Sequence, residues 1–190
     1  MEKSPKNYDV LIIGAGPAGA NAAISYKNLN PNLTVALVDK AIFPRDKSCG
    51  DAIGPGVISA LKRFNNEHIL DGEPQVVSTT LYGPDNIGIQ NYIPEVKNKE
   101  DSIVYVIPRV DLDNRILDLA KECGVDVYEG YSFVDFTSNL DKSLNVQIKN
   151  ENENLEFLTK ILVGADGANS RIRKKLSYKS NSDWHKAIAI

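Results

Sequence analysis

The chain has little cysteine and little histidine. Its two cysteines, Cys49 and Cys123, lie far apart and form no CxxC pair. That excludes a disulfide framework and a thiolate zinc site and fits a reducing compartment. The two histidines, His68 and His185, have no partner at metal-ligand spacing, so solvent-facing or locally hydrogen-bonded roles are expected and no metal site is predicted. A net charge of -3 gives no electrostatic ground for binding nucleic acid. No nucleophile-elbow context surrounds any serine, which argues against hydrolase chemistry. The apolar stretch "VLIIGAGPAGANAAI" is broken by glycines and a proline, and no basic region with a small-residue cleavage site precedes it. Neither a signal peptide nor a membrane span is expected, and a cytoplasmic location follows.

What is present is ordinary for a globular protein: 190 residues, 42% hydrophobic and 25% charged, enough for one domain or a small two-part unit with a real core. "YDVLII" is a continuously apolar, β-branched run of the kind a buried parallel strand requires. "GAGPAGANAAISYKNL" reads as a glycine turn opening a helix, and "LTVALVDK" as a second buried strand, so Tyr8 to Lys40 forms one β-α-β unit.

Beyond Lys40 the alternation stops. The loop "FPRDKSCGD" leads into a predicted helix from Gly56 to Phe64. The runs "VVSTTLYG", "NIGIQNYI" and "SIVYVI" then predict an antiparallel insertion over about residues 74–107. Leu112, Ile116, Leu119 and Ala120 recur at helical spacing before Gly124, and "VDVYEG" supplies a third parallel strand. "YSFVDFTS", "LNVQIKN" and "LEFLTKILVGAD" predict an antiparallel meander, and the terminal "KAIAI" a strand just beginning.

Gly14, Gly16 and Gly19 match G-x-G-x-x-G directly after a strand and at the start of a helix, the context that gives the motif its meaning. Gly14 permits the tight turn, Gly16 lets a pyrophosphate approach the backbone, and Gly19 lets helix and strand pack closely. Free amides at the helix start then face the anion. Asp39 ends the second strand 20 residues after Gly19, where its carboxylate can accept hydrogen bonds from adenosine ribose hydroxyls. A carboxylate there disfavours a 2'-phosphate, so the dinucleotide is expected to be FAD or NAD rather than NADP. A glycine-rich turn can also simply join a strand to a helix; here strand, helix, second strand and terminal acid agree.

The later "LVGADGANSRIRKKL" runs an apolar strand into Asp166-Gly167 and a helix start with Asn169 or Ser170 available as N-cap. With "GAGPAG" upstream, this segment resembles the FAD-dependent oxidoreductases of the aromatic-hydroxylase superfamily. "PRVDLDNRILDLAKECGVDV" is similar to that superfamily's "R-x-x-L/F-D-x-x-L" segment. Within the superfamily, "FPRDKSCGDAIGPGVISAL" looks most like the geranylgeranyl reductase branch, whose members carry "P-R-x-K-x-C-G" before a short helix.

The resemblance implies an α/β fold: a Rossmann-like FAD-binding domain with a parallel sheet and an antiparallel β-meander, plus the beginning of a β-rich substrate domain. The expected division is 1–73 and 108–180 for FAD binding, with 74–107 and 181–190 as partial substrate-domain elements. A third flavin motif, a Gly-Asp-Ala segment, has no counterpart before Ile190. The chain is therefore expected to be the N-terminal portion of a longer enzyme, inactive alone.

FAD is the implied cofactor, with NADPH or another donor as reductant. Its implied contacts are Gly14, Gly16, Ala18, Gly19, Asp39, Lys40, Arg45, Cys49, Gly50, Arg109, Asp166 and Gly167. Asp166 and Gly167 would approach the ribose and pyrophosphate, Arg109 the flavin, and Cys49 with Gly50 the isoalloxazine ring. Arg45 and Lys47 would balance phosphate or reduced-flavin charge. The implied reaction is reduction of isoprenoid carbon–carbon double bonds, with Cys49 either supplying the proton or packing as a small residue beside the ring. The alternatives are an aromatic-ring monooxygenase and a nucleotide-binding fragment without catalysis. An isoprenoid or lipid substrate would favour peripheral membrane contact.

Overall fold

The computed structural model describes residues 4–92 and 104–176, and these divide into two compact units, 1–46 with 113–190 and 47–112. The expected segments 93–103 and 181–190, with His185, lie outside the described residues. The expected insertion at 74–107 falls within the span of the second unit, whose bounds are wider.

The first unit is built on a six-stranded sheet in the order β7-β2-β1-β10-β9-β8. Its strands are β1 (Lys6–Ile13), β2 (Val35–Asp39), β7 (Asp126–Glu129), β8 (Ser132–Ser138), β9 (Leu144–Lys149) and β10 (Asn154–Gly164). β7, β2, β1 and β10 run parallel, while β9 pairs antiparallel with both β10 and β8. The expected parallel layer and meander are thus one continuous sheet. β10 joins them because its 11 residues suffice for both: Asn154 to Thr159 pair with β9, and Phe157 to Gly164 pair with β1.

Strand side chains alternate between faces. Leu11, Ile13, Ala36 and Val38 meet Phe133, Val146, Ile148, Phe157 and Ile172 in one buried cluster. Val10, Ile12, Val35 and Leu37 are buried on the opposite face. Burial on both faces explains why β1 and β2 are continuous apolar runs. Helix α1 (Pro17–Leu29) packs against β1 and β2 and buries Gly19, Ala20 and Ala23, small residues that let the helix approach closely, together with Ile24. It opens with Pro17 in its first turn, where the missing N–H costs nothing. Each buried Val, Leu or Ile contributes about 1.5–3 kcal/mol by leaving water.

The second unit holds β3 (Ala52–Ile53), α2 (Pro55–Lys62), a 3-10 turn (Glu67–Leu70), β4 (Ser78–Tyr82), β5 (Gly88–Tyr92) and β6 (Tyr105–Val106). Helix α2 begins one residue before and ends two before the sequence expectation, and Asn65 with positive φ and the 3-10 turn follow it. β4 and β5 form the expected antiparallel hairpin, but β6 pairs with β3 instead of extending it. Helix α3 (Arg109–Glu122) runs through the division between the units, and α4 (Arg171–Lys175) follows β10. Among the described residues no helix is long and apolar enough to cross a membrane, and no cluster of His, Cys, Asp and Glu could hold a metal ion.

Candidate functional site

Parallel pairing places Ile13 opposite Gly164, so the two motifs that follow β1 and β10 emerge side by side. The Ala165 amide donates to the Ile13 carbonyl at 2.8 Å, and the Gly14 amide to the Val38 carbonyl at 2.7 Å. Gly14 has φ +105°, and a Cβ there would lie 2.2 Å from the Ala165 carbonyl oxygen. A Cβ on Gly19 would lie 1.7 Å from the Gly14 carbonyl oxygen. Both glycines are therefore fixed by the protein's own backbone.

Gly16 differs. Its φ of -66° and ψ of 178° suit any residue. A Cβ there would meet only the Arg45 guanidinium, with Nη2 at 3.4 Å. Neither strain nor internal packing requires glycine at this position, which leaves bare backbone at the start of α1. The helix has no side-chain cap, so the first-turn amides of Ala18 and Gly19 lack intrahelical acceptors and sit at the positive end of the helix dipole.

In the turn before the helix, the Ala15 amide is engaged by the protein itself, donating to Asp39 Oδ2 at 2.7 Å. Asp39 Oδ1 accepts from the Ala41 amide at 2.8 Å. The carboxylate thus ties the glycine turn to the exit of β2, and each oxygen keeps a lone pair for another donor. Ala18 and Lys40 are exposed nearby in sequence.

The loop after β2 is fastened to β7. The Phe43 amide donates to Glu129 Oε1 at 2.9 Å, and the Arg45 guanidinium lies over the Phe43 ring, 4.8 Å from its centroid. Arg45 Nη2 also stands 3.4 Å from Asp113 Oδ2, a carboxylate with no solvent exposure. Asp113, Phe43 and Glu129 escaped the sequence reading as site residues. A usable signal existed for Asp113: it lies between Leu112 and Ile116 on the apolar stripe of α3, where a carboxylate needs a partner.

After β10, Asp166 Oδ2 accepts from the Arg171 amide at 2.7 Å, and Ser170 caps α4 by accepting from the Arg173 amide at 3.0 Å. Asp166 Oδ1 is buried and finds no donor among the described residues. Gly167 follows at φ +81°.

In the second unit Cys49 is exposed. Its thiol is held below the ordinary range, first by the Asp51 amide and then by hydrogen bonding and charge from Arg109. Asp51 is fixed in turn: its carboxylate accepts from the Arg109 amide at 3.2 Å and its carbonyl from the Ile107 amide at 3.0 Å. Gly50 is exposed, and a Cβ there would meet nothing within 4 Å. Cys123 shifts the other way, its thiol pushed up mainly by burial. The structure thus gathers Gly14, Gly16, Gly19, Asp39, Arg45 and Asp166 in the first unit, and Cys49, Gly50 and Arg109 in the second.

The family model of the FAD binding domain matches residues 7–187. The chain belongs to this FAD-binding family. It is 29% identical over 178 residues to a menaquinone reductase of Mycolicibacterium smegmatis, covering 94% of this chain and 41% of that protein. It is also 29% identical over 171 residues to a geranylgeranyl diphosphate reductase of Rhodobacter capsulatus, covering 89% and 40%. The chain therefore spans about two fifths of the length of these curated relatives. In fold it resembles p-nitrophenol 4-monooxygenase of Pseudomonas putida, with a TM-score of 0.79 at 14% identity over 90% of this chain and 44% of that one.

The residues present fit FAD. Gly16 offers bare backbone that neither strain nor internal packing requires. Arg45 beside it supplies positive charge, Asp39 retains acceptor capacity, and Asp166 Oδ1 is a buried acceptor awaiting a donor.

Proposed function

We propose that the chain is the FAD-binding portion of a reductase of isoprenoid carbon–carbon double bonds. The observation that carries the reading is the Cys49 thiol, exposed and held acidic beside Arg109 within the "PRDKSCG" loop. The names of the two relatives above, both reductases and one acting on a geranylgeranyl diphosphate, support it.

FAD, when bound, would supply the redox chemistry, a hydride for one alkene carbon, with NADPH or another donor as the source of electrons. Gly16, Ala18 and Gly19 would hold the pyrophosphate through backbone amides, Arg45 would offset its charge, and Asp39 would offer an acceptor to a ribose hydroxyl. Asp166 Oδ1 would offer a second acceptor to the cofactor. The alkene's other carbon receives the proton from Cys49 Sγ, leaving a thiolate that the Asp51 amide and Arg109 stabilise until solvent reprotonates it. Hydride and proton together saturate the bond without further reactants.

The test uses the protein expressed in its complete reading frame, loaded with FAD and reduced without oxygen. Mixing with geranylgeranyl diphosphate is expected to reoxidise the flavin and give a product two hydrogens heavier per bond. Cys49→Ser is expected to slow this step by about a hundredfold or more, within the usual range for losing a positioned proton donor, while leaving flavin reduction unchanged. Failure of isoprenoid to reoxidise the flavin, together with transfer of oxygen into an aromatic ring once air and an aromatic substrate are admitted, supports the monooxygenase and overturns the reductase.

A further inference from the structure

Arginine is well suited to a diphosphate because its planar guanidinium keeps several donors in a rigid fork. A free arginine at a loop, however, spreads over many rotamers, and orienting it on binding costs affinity. In this chain Arg45 is oriented beforehand. Its guanidinium lies over the Phe43 ring at 4.8 Å, and Phe43 is itself tied to Glu129 by a 2.9 Å hydrogen bond. Asp113 meets Nη2 at 3.4 Å, and the arginine side chain remains 20% exposed, so it keeps an open side. The same Nη2 would lie 3.4 Å from a Cβ of Gly16, next to the uncapped start of α1.

We infer that Asp113 is a positioning residue for diphosphate recognition: it holds the Arg45 guanidinium above the Gly16 backbone so that its free donors face the anion. The inference rests on the proposed placement of the FAD pyrophosphate at Gly16. A fully buried carboxylate is costly unless paired. Pairing with Arg45 satisfies that demand and orients the cation at once. Asp113 acts only through Arg45; without it the guanidinium is released towards water, and the anion must recruit it from solvent.

The experiment compares FAD with riboflavin, which lacks the diphosphate, by titration of the apoprotein in its complete reading frame. In the wild-type protein FAD is expected to bind far more tightly than riboflavin. Asp113→Asn and Arg45→Gln are each expected to weaken FAD by about tenfold, about 1.4 kcal/mol, with riboflavin unchanged. The double variant is expected to bind FAD no more weakly than Arg45→Gln alone, since one residue acts through the other. Asp113→Glu keeps the buried charge, guards against a folding failure of the neutral variant, and is expected to give a smaller loss confined to FAD. Unchanged FAD affinity, equal losses for FAD and riboflavin, or full additivity in the double variant overturns the role of Asp113. Equal wild-type affinity for FAD and riboflavin overturns the pyrophosphate placement as well.

Discussion

The amide of Ala15 donates a 2.7 Å hydrogen bond to the carboxylate of Asp39, which places the acid at the end of β2 in direct support of the glycine turn after β1. The same carboxylate takes the Ala41 amide, so it fixes the backbone on both sides of the site. Asp39→Ala leaves two amides without their acceptor and is expected to destabilise the fold by about 1–3 kcal/mol. Asp39→Asn keeps one acceptor oxygen and should lose less. Urea denaturation measures both, and an unchanged midpoint for Asp39→Ala contradicts the bracing role.

The three fingerprint glycines should separate stability from binding. Gly14→Ala forces a side chain into φ +105° and against the Ala165 carbonyl, and is expected to cost about 1–3 kcal/mol of stability or more. Gly16→Ala meets neither obstacle, so its stability should stay within about 0.5 kcal/mol of wild type while FAD affinity falls. Thermal melts with FAD titrations check the pair. A Gly16→Ala protein that binds FAD normally removes the reason given for that glycine.

The two cysteines are expected to react differently. The Asp51 amide and Arg109 favour the Cys49 thiolate, while burial disfavours that of Cys123. At neutral pH iodoacetamide should therefore label Cys49 first, with a pH profile centred below the ordinary thiol value of about 8.5. Arg109→Gln should move that profile upward, incompletely, because the Asp51 amide remains. Mass spectrometry of timed digests reads both sites, and equal labelling contradicts the assignment.

Midway along β1, Lys160, the Thr34 amide and the Thr34 hydroxyl hold the Asp9 carboxyl down to about 2. Its folded value lies below the unfolded one of about 3.9, so the stabilisation is fully present above that value and lost as pH falls through about 2. Asp9→Asn should therefore lose less stability than wild type between about pH 4 and pH 2. Denaturant midpoints across that window decide it, and parallel curves contradict it.

Much of the frame was legible because it rests on local pattern. Apolar runs marked β1 and β2, and a glycine turn before Pro17 marked α1. The continuity of the sheet was not legible, since it depends on β10 pairing with β9 at one end and β1 at the other, a long-range choice no local period records. The glycines and Asp39 were singled out by type and spacing, and Arg45 by resemblance. Asp113 was not named as a site residue, because its role depends on a guanidinium delivered from a distant loop. Its charge within an apolar stripe and its place as the acid of the R-x-x-L/F-D-x-x-L match were the available signals. The bond from the Ala15 amide to Asp39 was not legible either, because a sequence cannot show which acceptor reaches an amide first.

Backbone amide shifts in the 15N-labelled protein, followed during titration with FAD, test the central claim most directly. Saturable shifts are expected at Gly16, Ala18 and Gly19, with the Arg45 side-chain signals moving in step. FAD binding that leaves Gly16, Ala18, Gly19 and Arg45 unmoved would contradict the account.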